Sequence, residues 1–279
     1  MEHELQGINL EGALYIVDAR LDALIELGNE RNLLRFSEMD YTDTHYELKY
    51  QPDTRQIASK REIEIRQYMT VKLPHLTSLD PEGMAERCQK TASEIRGMTD
   101  YDALVDPKAL ELRMKGELPR VEILGHTYYA DVRMGSIRPK DEFQTGRLNA
   151  QVLNQYFSPD GSHYRVPMDP VTREIREVNW EKITEIPKNI VLVDIPSIQR
   201  LDPVGYARDL KLEPKQFLRN HPPRQEHVAR QVNWSDTLVH EIILANRIRD
   251  SMTRLERTIR QDVRQKERPS RQQKPKNLH

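Results

Sequence analysis

Apolar residues recur along this chain with two different periods. From Ile8 to Leu10 and from Leu14 to Val17 they form short aliphatic and β-branched runs separated by Glu11-Gly12, where glycine supplies a turn at low steric cost. This pattern predicts a β-hairpin. A second hairpin is expected where His45 to Tyr50 leads through Gln51-Pro52-Asp53-Thr54 to Arg55-Gln56-Ile57, because proline presets the φ of a type I turn. Met69 to Leu73 reads as a further strand ending at Pro74. Asp80-Pro81 then predicts a helix start: an aspartate oxygen accepts a hydrogen bond from the first turn, and proline gives up an N–H that has no partner there. Met84 and Cys88, four apart, are expected on one face of that helix.

The same order of signals returns downstream. Gly12, Tyr15, Asp18 and Arg20 match Gly125, Tyr128, Asp131 and Arg133. His45, Tyr46, Pro52, Thr54, Arg55 and Ile57 match His163, Tyr164, Pro170, Thr172, Arg173 and Ile175. The run Leu79-Asp80-Pro81-x-Gly83-x-Ala85 matches Leu201-Asp202-Pro203-x-Gly205-x-Ala207, and Tyr206 with Leu210 takes the place of Met84 with Cys88. The offset widens from block to block, as residues added in surface loops would do. The expected fold class is therefore α+β, a tandem duplication of a small antiparallel-sheet-plus-helix module. On this reading residues 8–96 are repeat 1, 97–120 a linker with a short helix from Asp106-Pro107, and 121–218 repeat 2. Glu213 to Leu218 adds a helical turn that Asn220-His221-Pro222-Pro223 breaks.

The period changes after Ser235. Leu238, Ile242, Ala245, Ile248, Met252, Leu255, Ile259 and Val263 recur every three or four residues, without proline or glycine until Pro269. Residues 219–268 thus hold a long amphipathic helix, whose other side carries Arg254, Arg257, Arg260, Arg264 and Arg268, and 269–279 read as a disordered basic tail. Charge sharpens this division. Of 43 Lys and Arg and 44 Asp and Glu, residues 219–279 hold 14 and 7, so the basic end sits on an acidic body. Such asymmetry points to a polyanionic partner or to a tail folded back on the body.

With 37% hydrophobic and 6% aromatic residues, small cores are expected rather than one large one. The single Cys88 allows no intramolecular disulfide, and the sequence shows neither a signal-peptide pattern nor an apolar run of membrane-spanning length, so a cytoplasmic protein with no membrane partner is expected.

Candidate chemistry is sparse. His45-Tyr46 and His163-Tyr164 are polar pairs at the same point of both copies, and packing across a hairpin accounts for them better than ligand contact does. Asp18 with Arg20 and Asp131 with Arg133 share a strand face, where they form a small polar site, pair with Arg55 and Arg173, or make a surface charge ladder; the ladder is favoured. His240-Glu241 is followed by Leu244 where a zinc helix needs a second histidine, glycines form no phosphate-binding loop, and Gly161-Ser162-His163 is not a nucleophile elbow. No catalytic, cofactor or metal residue is assigned.

The Leu79 to Ala85 segment, with its partner at 201–207, resembles helix starts in uncharacterised proteins of bacterial conjugative and other mobile elements. The resemblance implies a bacterial accessory protein, with no activity and no residue roles to carry over. The expected function is non-enzymatic binding, with the arginines of the C-terminal helix contacting nucleic acid or an acidic protein. One alternative is a protein–protein adaptor that buries Ile242, Ala245, Ile248, Met252, Leu255 and Ile259 against a partner or a second copy. Another is an enzyme working between the modules with His45 or His163 as proton carrier.

Overall fold

The computed structural model describes residues 6–63, 67–141 and 146–266, with backbone alone at 60, 61 and 262–266. The architecture is α+β. The chain divides into two compact units, the first drawn from Met1–His163 and Pro196–Ala229, the second from Tyr164–Ile195 and Arg230–His279. These units cut across the segments drawn from the sequence. The segment 196–229 joins the first unit, while the segments on either side of it in sequence, 164–195 and 230–279, form the second.

The first unit opens with an antiparallel meander of β1 (Gly7–Leu10), β2 (Ala13–Asp18), β3 (Ala23–Glu26) and β4 (Leu33–Arg35). The predicted hairpin closes with Leu10 opposite Ala13, and both turn residues take positive φ, 47° at Glu11 and 83° at Gly12, the shape that matches strand twist. A second sheet is centred on β6 (Tyr46–Gln51), paired with β5 (Asp40–Tyr41), β7 (Gln56–Ile57) and β8 (Met69–Leu73). Alternation along β6 sends Tyr46, Leu48 and Tyr50 into the core, where Tyr15 and Phe36 meet them edge-on.

Helices α1 (Lys60–Ile63), α2 (Leu76–Leu79), α3 (Pro81–Cys88), α4 (Asp100–Leu104) and α5 (Pro107–Met114) follow. Asp80 caps α3 through Gly83 N–H at 2.9 Å and also accepts from Ala19 N–H at 2.8 Å, so one carboxylate both starts the helix and ties it to the end of β2. A Cβ on Gly83 would lie 2.2 Å from Asp80 Oδ2, which is why that position has no side chain.

A third sheet runs β9 (Arg120–Ile123), β10 (His126–Asp131), β11 (Ser136–Pro139) and β12 (Leu148–Asn149), then α6 (Ala150–Leu153). After the excursion through β13 (His163–Met168) and β14 (Val191–Pro196), the first unit regains α7 (Ile198–Leu201), α8 (Pro203–Asp209) and α9 (Pro214–Asn220). It ends with β15 (Glu226–Val228), which adds to β9 in parallel. The second unit holds the sheet β13-β14-β16, with β16 at Arg230–Val232, and the 28-residue α10 (Val239–Lys266). Among the described residues no helix is long and apolar enough to cross a membrane.

The matched sequence blocks take matching local backbone. Leu124 and Gly125 have φ of 50° and 78°, as Glu11 and Gly12 do. Arg173 N–H donates to Asp169 O at 2.8 Å, with Met168 bridging Ile175, just as Arg55 N–H donates to Gln51 O at 2.8 Å beside the pair Tyr50 and Ile57. Asp202 caps α8 through Gly205 at 2.9 Å, and a Cβ there would again lie 2.2 Å from the carboxylate. Two differences matter. In place of a backbone N–H, Asp202 receives the buried Arg113 guanidinium, Nε at 2.8 Å and Nη2 at 2.9 Å. Tyr206 and Leu210 keep the expected helical spacing, with Leu210 N–H donating to Tyr206 O at 3.1 Å, but Leu210 is the exposed cap of α8 and Tyr206 is half-buried, whereas Met84 is buried and Cys88 half-buried on α3.

Candidate functional site

Helix α10 carries the main candidate. Its first turns are anchored by Val239, Ile243 and Asn246, which are buried and lie on one face at i, i+4 and i+7. Asn246 Nδ2 donates to the carbonyls of Trp180 at 2.9 Å and Ile183 at 2.8 Å, Arg247 Nε to Thr184 O at 2.7 Å, and Arg249 Nη2 to Glu181 O at 2.9 Å. Backbone carbonyls of a connecting segment thus find donors on the helix, and the Trp180 and Trp234 rings, 6.3 Å apart, pack nearby.

The docked face is not the stripe read from the sequence. Leu238 and Ala245 are exposed, Ile242 half-buried, and from Arg247 to Gln261 every residue is exposed. At 3.6 residues per turn, Leu244, Ile248, Met252, Leu255 and Ile259 fall on the side opposite Val239, Ile243 and Asn246. Their exposures of 60%, 53%, 61%, 61% and 52% mark a continuous apolar seam facing water. Scattered exposed leucines are ordinary, but a five-residue seam on successive turns marks an interaction surface.

Arg254, Arg257 and Arg260 stand away from this seam, exposed and without a carboxylate partner among the described residues. Arg264 lies in the helix with only its backbone described, and Arg268 lies outside the described residues, as do 269–279.

The paired polar positions separate into two kinds. His45 is engaged within its own hairpin, Nδ1 2.7 Å from Thr44 Oγ1 and Nε2 3.2 Å from Glu47 Oε1. His163 likewise lies 2.7 Å from Ser162 Oγ, beside Asp160. Tyr46 and Tyr164 are buried. Asp18 closes a turn by accepting from the backbone of Arg20 at 2.9 Å and Leu21 at 3.1 Å; burial raises its carboxyl, but the Arg20 side chain and these N–H groups outweigh that and hold it below the usual range. Arg20 returns to Asp18 at 3.1 Å, while Arg55 pairs with Glu26 and not with Asp18. Asp131 accepts from Met134 N–H at 3.1 Å, and Arg133 is exposed.

Sequence reasoning missed a buried charge cluster in the first unit. Arg219, fully buried at the end of α9, donates to Asp22 from Nη1 at 2.9 Å and Nη2 at 2.5 Å, and Nη2 lies 3.7 Å from Asp100. Its guanidinium sits 5.1 Å from the centre of the Tyr46 ring, and the Tyr46 hydroxyl donates to Asp100. Arg87 also reaches Asp22, at 2.8 Å. Burial alone pushes the Asp22 carboxyl up, and Arg219 and Arg87 together overcome it and hold the group below its usual range. Burial raises the Tyr46 hydroxyl, which Asp100 reinforces against the opposing charge of Arg219. No local spacing links positions 22, 46, 87, 100 and 219. The one available signal was a basic residue in the last turn of a predicted helix.

Comparison of the chain with protein-family models, with characterised proteins and with solved structures finds no match.

Proposed function

We propose that this chain is a non-enzymatic binding protein whose interaction element is α10, pairing through Leu244, Ile248, Met252, Leu255 and Ile259 with the same seam of a second copy. The carrying observation is that the seam faces away from the helix's own docked side. From Ile248 on, its steps of four, three and four residues are those of a heptad seam, and Leu244 extends the stripe by one further step of four. Arg249 and Glu256 lie seven apart along one flank, so antiparallel pairing sets each beside the opposite charge of the other copy. Full burial of a large apolar side chain is worth roughly 1.5–3 kcal/mol, so burying the exposed half of each contributes about 1 kcal/mol. Ten such side chains give about 10 kcal/mol, against an association cost of at least about 4 kcal/mol. The balance of at most about 6 kcal/mol is a dimer with a dissociation constant of about tens of micromolar or weaker. Sedimentation equilibrium over a concentration series tests this. A mass rising toward that of two chains, and a single-chain mass for Leu255→Glu, are expected; an unchanging single-chain mass at the highest soluble concentration refutes the pairing.

A second reading rests on Arg254, Arg257 and Arg260, which have no acidic partner among the described residues. A row of such arginines neutralises phosphates along a nucleic-acid backbone, with little regard for base sequence. An accessory protein of a bacterial mobile element would have use for that contact. Binding to a fluorescent duplex should weaken with salt at a log–log slope of about −3 for three phosphates, and should vanish when all three become glutamine. Equal binding by that variant removes the reading.

A further inference from the structure

We propose that a cavity at the C-terminal end of α9, carrying Arg200, Arg224, His221 and His227, binds the phosphoryl group of a small phosphate monoester. The cavity measures about 380 Å³, within the range of small-ligand sites, and lies wholly in the first unit. Pro196 walls it, and Asn220 forms part of its lining. No carboxylate lines it. That distinguishes it from two smaller arginine-lined hollows around Arg133 and Arg208, where Asp131 and Asp209 supply counter-charge.

Four observations converge on an oxyanion of high charge. Arg200 and Arg224 are exposed at the cavity and have no carboxylate partner among the described residues, so two guanidinium forks are available for planar, multi-point recognition. His227 Nε2 is buried without a hydrogen-bond partner, an uncompensated polar atom in the cavity lining. The lining is held rigidly: Asn220 Nδ2 donates to Ser37 O at 3.0 Å, its Oδ1 accepts from Arg219 at 3.0 Å, and the His221 ring rests 4.5 Å from Phe217, which stacks on Tyr206. Pro222 and Pro223 then fix the chain leaving His221. Finally, burial pushes both imidazoles below their usual range, with Arg200 adding to it at His221 and Arg224 at His227 against backbone hydrogen bonds at Arg224 and Leu201, so the rings serve as neutral hydrogen-bonding groups and the positive charge at the cavity is that of Arg200 and Arg224. A phosphoryl dianion answers all four; a phosphodiester carries one charge fewer and needs room for two chains.

The sequence reading treated Asn220-His221-Pro222-Pro223 as a helix breaker only. The accessible signal was the grouping of His221 and His227 with Arg200 and Arg224, which becomes a site only when β15 returns to β9. The inference does not depend on pairing through α10.

The test is calorimetric titration of the whole chain with inorganic phosphate, ribose 5-phosphate and a short single-stranded oligonucleotide at constant ionic strength. Saturable binding of ribose 5-phosphate is expected, competed by inorganic phosphate and weakened about tenfold by each of Arg200→Ala and Arg224→Ala. Both side chains are exposed, so these variants should keep the parent melting temperature. Arg133→Ala serves as the comparison and should bind as the parent does. Tighter binding of inorganic phosphate than of the sugar phosphate would place the free ion as ligand and leave the phosphoryl site standing. Binding by the oligonucleotide alone, no binding by either phosphate, or undiminished binding by the Arg200→Ala, Arg224→Ala double variant overturns the proposal.

Discussion

Arg219→Met removes a charge from the most enclosed part of the first unit while keeping most of the side-chain volume. Arg219 contributes two hydrogen bonds to Asp22, lies 3.7 Å from Asp100 and covers the Tyr46 ring. Without it Asp22 keeps only Arg87, and Asp100 keeps the N–H groups of Leu76 and Thr77 and the Tyr46 hydroxyl. Breaking a buried pair by deleting one partner costs about 3–5 kcal/mol, and the remaining Arg87 places this case near the lower end, about 3 kcal/mol. At roughly 2–4 °C per kcal/mol the melting temperature should fall by about 6–12 °C. The pH dependence carries a sign. The Asp22 carboxyl is held below its unfolded value, so its stabilisation is complete above the unfolded range near pH 4 and is lost as pH falls through the folded one. The gap between parent and variant should therefore be full at neutral pH and narrow in acid. Thermal unfolding followed by circular dichroism from pH 7 down to about pH 3 gives both quantities. A loss of under about 1 kcal/mol, or a gap that does not change with pH, would show that Arg219 is a packing residue and that its charge is irrelevant.

Further outcomes follow from the same contacts. Gly83→Ala should cost about 2 kcal/mol by displacing the Asp80 cap and its bond to Ala19, and Gly205→Ala more than about 3 kcal/mol, because the displaced Asp202 also abandons buried Arg113; urea unfolding that ranks them equally refutes the difference between the two caps. Asn246→Ala leaves the carbonyls of Trp180 and Ile183 without their donor and should cost about 1–3 kcal/mol. Because the chain has 2 tryptophans and Trp180 and Trp234 pack together, fluorescence reads that loss locally, and an unshifted emission transition would count against the anchoring role.

Legibility followed distance along the chain. The turns at Gly12 and Gly125 and the helix starts at Asp80-Pro81 and Asp202-Pro203 depend on neighbours two or three residues away, and residue type states them openly. The seam of α10 was visible as periodicity, but which side docks was not. Val239, Ile243 and Asn246 form a shorter, partly polar set whose burial depends on carbonyls at 180 and 183. A buried asparagine reads as a surface residue until those carbonyls are known to need donors. The cluster of Asp22, Arg87, Asp100 and Arg219 lies further still from legibility: each is an ordinary surface type, and only the packing of α9 near α4 and β5 brings them together. The division into compact units was hidden for a related reason, since repeated signals describe local shape and are silent on which strand joins which sheet.

The chain passes between the two compact units at 163/164, 195/196 and 229/230. Neither unit can therefore be excised as one continuous stretch of gene, and a protease that nicks any one crossing leaves the other two as tethers. A ribosome must release residues beyond 229 before the second unit has all its parts, so early fragments persist as incomplete folding partners. Because the two units alternate along the chain, circular permutation does not separate them, and only removing the intervening segment and rejoining the ends would yield either body alone.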